Sequence, residues 1–141
     1  MKVENANHPS DEQLKEFFAR AGTDQDGPVV MLNMLKFREC AAYPDGRDAH
    51  LSGAEAYTRY GLEVKKIVEG LGGKMLYAGA VDGLMIGHVD DLWDQVALVR
   101  YPSRKAFFDM VMMPEYKAIE VHREAGLAGQ LNIGVNTLLG D

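Results

Sequence analysis

The residues from Val29 to Phe37 form an almost continuous apolar run, and this run constrains the fold more than any other feature of the chain. Turn-forming residues precede it at positions 24–28, so the run is bounded like a strand that is buried on both faces. Two polar side chains interrupt it, Asn33 and Lys36, and they are an odd number of residues apart. Because side chains alternate along a strand, we expect these two to project to opposite faces of a central strand.

The other elements follow from hydrophobic periodicity, capping residues and turn residues. Ser10 and Gln13 have the spacing of a capping box, Ser103 is a natural helix N-cap, and Pro114 restarts a helix at its first turn. The predicted elements are helices over residues 11–21, 54–71, 104–111 and 114–125, strands over 29–37, 74–81, 93–101 and 130–137, and a short extended piece over 84–86.

Apart from the first helix, the predicted elements run in the order strand, helix, strand, strand, helix, strand. This order predicts an α+β fold, namely the ferredoxin-like βαββαβ arrangement of an antiparallel sheet with helices on one face. The 141 residues fit a single domain, 1–141. We expect residues 1–27 to be an N-terminal helical extension and residues 28–138 to form the ferredoxin-like core.

Apolar residues occupy both alternating sets of positions in three of the predicted strands. In the third strand, Val96 and Leu98 alternate with Ala97 and Val99. Helices on one face of the sheet cover only one of these sets, so the other set needs a second cover. We expect that cover to be another copy of the same sheet across a two-fold axis, which gives a homodimer with a cavity between or beside the sheets.

Charge and cysteine content exclude several classes of partner. The 15 Lys and Arg residues against 21 Asp and Glu give a net charge of −6, which disfavours nucleic acid. The single cysteine, Cys40, allows neither an internal disulfide nor a thiolate zinc site, and a reducing compartment is the simpler interpretation. No apolar run approaches the ~20 residues that span a bilayer, and the polar, acidic start does not resemble a signal peptide. We expect a cytoplasmic protein with no nucleic-acid or membrane partner.

The sequence carries no strong catalytic signature. It contains no nucleotide-binding glycine loop, no Gly-x-Ser-x-Gly elbow and no His-Glu-x-x-His pair, so catalytic residues are not assigned. The four histidines lie in different segments, which predicts no metal site and no haem, flavin or other cofactor. His122 is either a base or haem ligand in a cavity or a surface histidine at a helix end. Cys40 is either a functional thiol or an inert one.

Five polar residues are candidates for contacts with a small ligand. Asn33 would act as a hydrogen-bonding group. Tyr60 and Tyr116 would supply a stacking surface or an acid. Arg100 and Arg123 would clamp an anion. The alternative is structural: aromatic residues of an ordinary core, and arginines held in ion pairs.

Six short segments also occur in a characteristic order and spacing. They are Met31-Leu32-Asn33-Met34-Leu35-Lys36-Phe37, Gly53-Ala54-Glu55-Ala56-Tyr57, Gly72-Gly73-Lys74, Trp93-Asp94, Arg100-Tyr101-Pro102-Ser103, and Pro114-Glu115-Tyr116 with Arg123 after it. With these segments, about residues 28–135 resemble the DUF1330 family of the dimeric α+β barrel superfamily. The chain is most similar to the longer branch, which has an added N-terminal helix and an extended loop after the first strand.

The resemblance implies a ferredoxin-like protomer that dimerises through its sheets. It implies no activity, because the family is known chiefly as a domain of unknown function. Related members of the superfamily include cofactor-free monooxygenases, muconolactone isomerases and haem enzymes, so the fold alone selects no chemistry. Family members often carry a Glu-Gly pair after the second strand, where this chain has Ile86-Gly87, and a role for that acid is therefore not carried over.

The leading hypothesis is a homodimer whose cavity binds a small, partly aromatic or acidic metabolite, with cofactor-independent oxygenase or isomerase chemistry as an option. The competing hypothesis is a non-catalytic binding or structural dimer, in which the same polar residues satisfy one another.

Overall fold

The computed structural model describes residues 1–140, and its helices and strands follow the predicted order. The elements are α1 (Asp11–Phe17), β1 (Val29–Phe37), α2 (Gly53–Gly70), β2 (Lys74–Ala80), β3 (Gln95–Tyr101), α3 (Arg104–Met112), α4 (Pro114–Gly126) and β4 (Leu127–Val135). The bounds of β1 are those predicted. Ser10 and Gln13 form the expected capping box at α1, and the Ser103 side chain caps α3. None of the helices within residues 1–140 combines the length and the apolar character that crossing a bilayer requires.

The four strands form one antiparallel sheet in the order β2-β3-β1-β4. β1 is central, between β3 and β4, and β2 lies at one edge. Before α1, Ala6 exchanges two backbone hydrogen bonds with Gln130, so the N-terminal segment lies along the outer side of β4. This arrangement confirms the predicted α+β, ferredoxin-like fold.

The core lies between one face of the sheet and the helices. Val29 and Met31 of β1 belong to it, together with Val99 and Tyr101 of β3, which pair with them across the sheet. Asn33 has the same parity as these residues and therefore faces the helices too. The helices contribute Tyr60, Val64 and Val68 from α2, Met110 from α3 and Tyr116 from α4.

The opposite face of the sheet carries the alternating apolar set. Leu98 lies there, and its neighbours across the strands are Leu32 and Tyr77. Three of the large apolar side chains on this face are exposed: Tyr77 is 61% exposed, Ile133 42% and Val135 40%. The protomer therefore leaves apolar surface uncovered on the face that points away from its helices.

The strands β3 and β4 form as predicted but begin at Gln95 and Leu127 instead of at 93 and 130. Two other predicted elements differ more. The first helix ends at Phe17 and the chain continues in turns, because Ala19 and Ala21 donate to carbonyls three residues earlier and the i→i−4 ladder stops. Residues 84–86 form no strand, and Met85 is 95% exposed. β2 is already the edge of the sheet, and Val81 bonds to the backbone of Asp94, so the residues between them loop out with no strand to pair with.

Candidate functional site

A cavity of about 820 Å³ opens between the helix-facing side of the sheet and helices α1, α3 and α4. Its volume is within the range of small-molecule sites. Aromatic side chains such as Phe17 and Phe107 form much of its wall, and Met31 of β1 forms part of the sheet side. Its polar groups come from β1, α2, β3, α4 and β4, and also from the N-terminal segment and α1. The charged ones are Arg123 and Lys117 on one side of the balance and the carboxylates of Glu4, Glu16 and Glu120 on the other.

Three of these polar groups form a hydrogen-bonded row across the sheet. The Arg123 guanidinium donates from Nη2 to Gln130 Oε1 over 2.6 Å, and Gln130 Nε2 donates to Asn33 Oδ1 over 2.7 Å. Asn33 Nδ2 donates in turn to the carbonyls of Met31 and Ala97. Gln130 is 8% exposed, so the row is buried at its centre, and it holds the Arg123 side chain from one side.

Arg123 has no carboxylate partner in the part of the chain that the structure describes. Glu120, the acid that a structural ion pair would use, instead lies 3.5 Å from Lys117. The charge of Arg123 is therefore held by a neutral amide, and its remaining N–H donors stay available to an anion in the cavity. Arg123 therefore forms no ion pair with an acid of residues 1–140, which the structural alternative would require.

Four tyrosines lie against the same space. Tyr60 and Tyr116 share a hydrogen bond of 3.0 Å between their hydroxyls. The hydroxyls of Tyr57 and Tyr101 have no hydrogen-bond partner among residues 1–140, although Tyr101 is only 5% exposed. Neither hydroxyl oxygen is fully enclosed, so both are free to bond to a ligand acceptor or to water in the cavity.

Burial determines the protonation of these phenols. It raises the pKa of Tyr57 to about 12, although the Arg123 charge acts in the opposite direction. Burial also raises the pKa of Tyr101, with a further contribution from Tyr116 and Tyr57. All these hydroxyls are therefore neutral at physiological pH and act as hydrogen-bond donors.

The cavity brings together four of the five predicted residues: Asn33, Tyr60, Tyr116 and Arg123. Asn33 differs from its expected role, because its amide is already bonded to Gln130 and to two backbone carbonyls. Arg100 does not join them. It lies on β3 between Val99 and Tyr101, which face the helices, so its own side chain projects to the opposite face of the sheet.

Sequence reasoning missed three cavity residues. Tyr57 lies three positions before Tyr60 on α2, and Tyr101 lies two positions after Val99 on β3, so periodicity places both on the core side. Gln130 belongs to the polar set of positions that alternates with Leu131 and Ile133 along the last strand, which marks this side of the strand as polar. Nothing in the sequence distinguishes these hydroxyls and this amide from ordinary core groups.

A second polar cluster lies outside the cavity, where the loop after β1 packs against α4. Arg59 Nη1 donates to the Tyr43 hydroxyl over 3.1 Å, and that hydroxyl is 2.7 Å from His122 Nδ1. Arg59 also pairs with Asp48 over 2.9 Å. The Tyr43 hydroxyl therefore bonds both to Arg59 and to His122, and it donates to Nδ1 in the tautomer that carries no proton there. His122 is thus a structural partner of the loop.

The remaining sequence candidates for chemistry are dispersed. Cys40 is an exposed free thiol. Residues 1–140 contain no group of three His, Cys, Asp or Glu side chains with the geometry to hold a metal ion.

Comparison with known proteins identifies relatives by structure. No family model and no curated protein matches the chain. A crystal structure of methylated RPA0582 protein is 36% identical, covers 97% of this chain and 98% of its own, and superposes with a TM-score of 0.84. A crystal structure of RPA0582, a protein of unknown function from Rhodopseudomonas palustris, is 34% identical, covers 97% and 100%, and has a TM-score of 0.83.

A more distant match shows the fold alone. The protein At3g17210 from Arabidopsis thaliana is 12% identical, covers 80% of this chain and 98% of its own, and has a TM-score of 0.56. The sequence identity to RPA0582, 34–36%, is much higher and extends over nearly the whole of both proteins. The chain belongs to the family of RPA0582.

Proposed function

We propose that this protein binds a small metabolite with an anionic oxygen group in the cavity between its sheet and its helices. The observation that carries the proposal is Arg123, a cation on the cavity wall that is oriented by Gln130 and has no carboxylate partner within residues 1–140. A guanidinium with free donors recognises carboxylates and similar anions through paired hydrogen bonds.

The phenol hydroxyls without a protein partner add further hydrogen-bond donors to the anion site. The Tyr57 and Tyr101 hydroxyls are neutral donors on the same cavity, and they suit a carbonyl, enol or enolate oxygen of the ligand. Donors fixed in a buried site stabilise negative charge that develops on such an oxygen. This supports cofactor-independent isomerase or oxygenase chemistry as the catalytic form of the proposal. The alternative is binding without turnover.

The assembly and setting belong to the same proposal. We assign the chain to the DUF1330 family on its sequence segments, and we place a second copy on the apolar sheet face to form a homodimer. An exposed free cysteine favours the reducing conditions of the cytoplasm.

Calorimetric titration with benzoate tests the anion site, since benzoate combines a carboxylate with an aromatic ring. We expect Arg123→Ala to weaken benzoate binding about 10- to 100-fold, which corresponds to losing a charge-assisted contact. The matched control is Arg20→Ala, because Arg20 is an exposed arginine that does not line the cavity. Native mass spectrometry of the purified protein should also detect a co-purified small molecule.

Thermal unfolding without ligand separates the binding role from a structural one. If Arg123 binds the anion, Arg123→Ala unfolds near the wild-type temperature and loses the stabilisation that benzoate confers. A large loss of stability without benzoate, together with an unchanged response to benzoate, would reject the proposal. Equal benzoate affinity in wild type and Arg123→Ala would reject it as well.

A further inference from the structure

A second cavity adjoins the first. It is a cleft of about 260 Å³ between α2 and the strands β2 and β3. Its wall is largely apolar, with Val64 and Val68 of α2, Met75 and Ala78 of β2, and Val99 of β3. None of its lining residues is charged. Leu62, at its rim, is 63% exposed, so this apolar surface is open to water.

The two cavities share part of their walls. Asn33, Tyr57, Tyr60 and Tyr101 line both of them. Tyr57 and Tyr101, whose hydroxyls have no protein partner among residues 1–140, therefore lie at the boundary between a cavity whose wall carries charged groups, Arg123 among them, and a cleft whose wall carries none. The boundary thus separates two different chemical environments.

We infer that the ligand is a monocarboxylic acid with an apolar acyl chain, whose carboxylate lies in the Arg123 cavity and whose chain lies in the apolar cleft. This inference rests on the proposed anion site and specifies its substrate class. Arg123 orients the anionic end, and the cleft accepts only an uncharged group, because burying a charge without a partner is costly. A chain in the cleft also removes the exposed apolar wall from water.

Calorimetric titration with butanoate, hexanoate, octanoate and decanoate tests the inference. For each methylene that enters the cleft, the dissociation constant of the wild-type protein should fall about twofold to fourfold, as expected for partial to complete burial of a CH₂ group. Ala78→Trp fills the cleft from an exposed position on β2, so the fold is expected to tolerate it. In this variant, the affinity should no longer rise with chain length, while butanoate binds as in wild type.

Ala80→Trp is the matched control. Ala80 is on the same strand and the same side of the sheet, is exposed, and lines neither cavity. It should keep the wild-type dependence on chain length.

The outcomes separate this inference from the proposed function. Binding of all four acids with equal affinity would overturn the inference that an acyl chain occupies the cleft. It would leave the proposed anion site unaffected. A chain-length dependence that survives Ala78→Trp also overturns it, because the chain then lies elsewhere. If no acid binds and Arg123→Ala does not change the affinity for benzoate, the proposed anion site itself is rejected.

Discussion

His122 and Arg123 are neighbours on α4, yet their side chains have different surroundings. Arg123 reaches the cavity, whereas His122 shares a hydrogen bond with Tyr43 of the loop after β1. Burial lowers the pKa of His122, and the charges of Arg59 and Arg47 lower it further, while Asp48 opposes them. The folded protein therefore favours the neutral imidazole.

This lowered pKa predicts a loss of stability on acidification. As pH falls below the ordinary histidine value, the unfolded chain takes up a proton that folded His122 resists, so the free energy of unfolding decreases until pH reaches the lowered pKa. We expect His122→Gln to lose less stability than wild type between pH 7.5 and pH 5.5 in urea unfolding. His88→Gln, which changes an exposed histidine, should follow wild type. Identical curves for wild type and His122→Gln would contradict the prediction.

At the scale of elements, α2 and α4 meet at two glycines. A Cβ added to Gly126 would lie 2.8 Å from the Tyr57 backbone nitrogen and 2.9 Å from the Tyr57 Cβ. A Cβ on Gly53 would collide with the Arg38 carbonyl. The backbone of Arg38 bonds to both glycines, so the start of the long loop is fixed where these helices cross. This contact sets the position of Tyr57 relative to Arg123.

We therefore expect Gly126→Ala to destabilise the protein by about 1–3 kcal/mol, because the neighbouring atoms are backbone atoms and a Cβ fixed to the backbone, none of which can move aside. Gly61→Ala is the matched control within α2, since an added Cβ there meets nothing within 4 Å. It should be neutral or stabilise by up to about 1 kcal/mol through helix propensity. Urea unfolding measures both. A neutral Gly126→Ala would show that the two helices are free to separate.

At the scale of the whole molecule, the apolar sheet face predicts the assembly. Of the neighbouring residues Leu98 and Val99, Leu98 faces away from the helices. Leu98→Asp therefore places a charge at the expected interface. We expect wild type to be a dimer at micromolar concentration in light scattering, and Leu98→Asp to dissociate or aggregate. Leu62→Asp, at an exposed leucine on the helix side, should remain dimeric. A monomeric wild type would contradict the sheet-to-sheet assembly.

Much of the fold could be predicted from local signals. The bounds of β1, the capping box at Ser10 and the helix restart at Pro114 depend on neighbouring residues in the chain, and the structure confirms all three. The prediction of an extended piece at residues 84–86 was wrong, because a strand needs a partner strand and local apolar content does not supply one. The antiparallel order of strands followed from the sequence of elements.

The candidate site could likewise be predicted from the sequence only in part. The sequence by itself determined which residue types were available and, through periodicity, that Tyr60 and Tyr116 belong to apolar helix faces. Only the tertiary structure decided that Arg100 and Arg123 lie on opposite sides of the sheet, that Gln130 holds Arg123, and that the Tyr101 hydroxyl has no partner among residues 1–140. The physical reason is that side-chain parity is local, whereas hydrogen-bond partners and charge compensation depend on residues distant in sequence, such as Asn33 and Gln130.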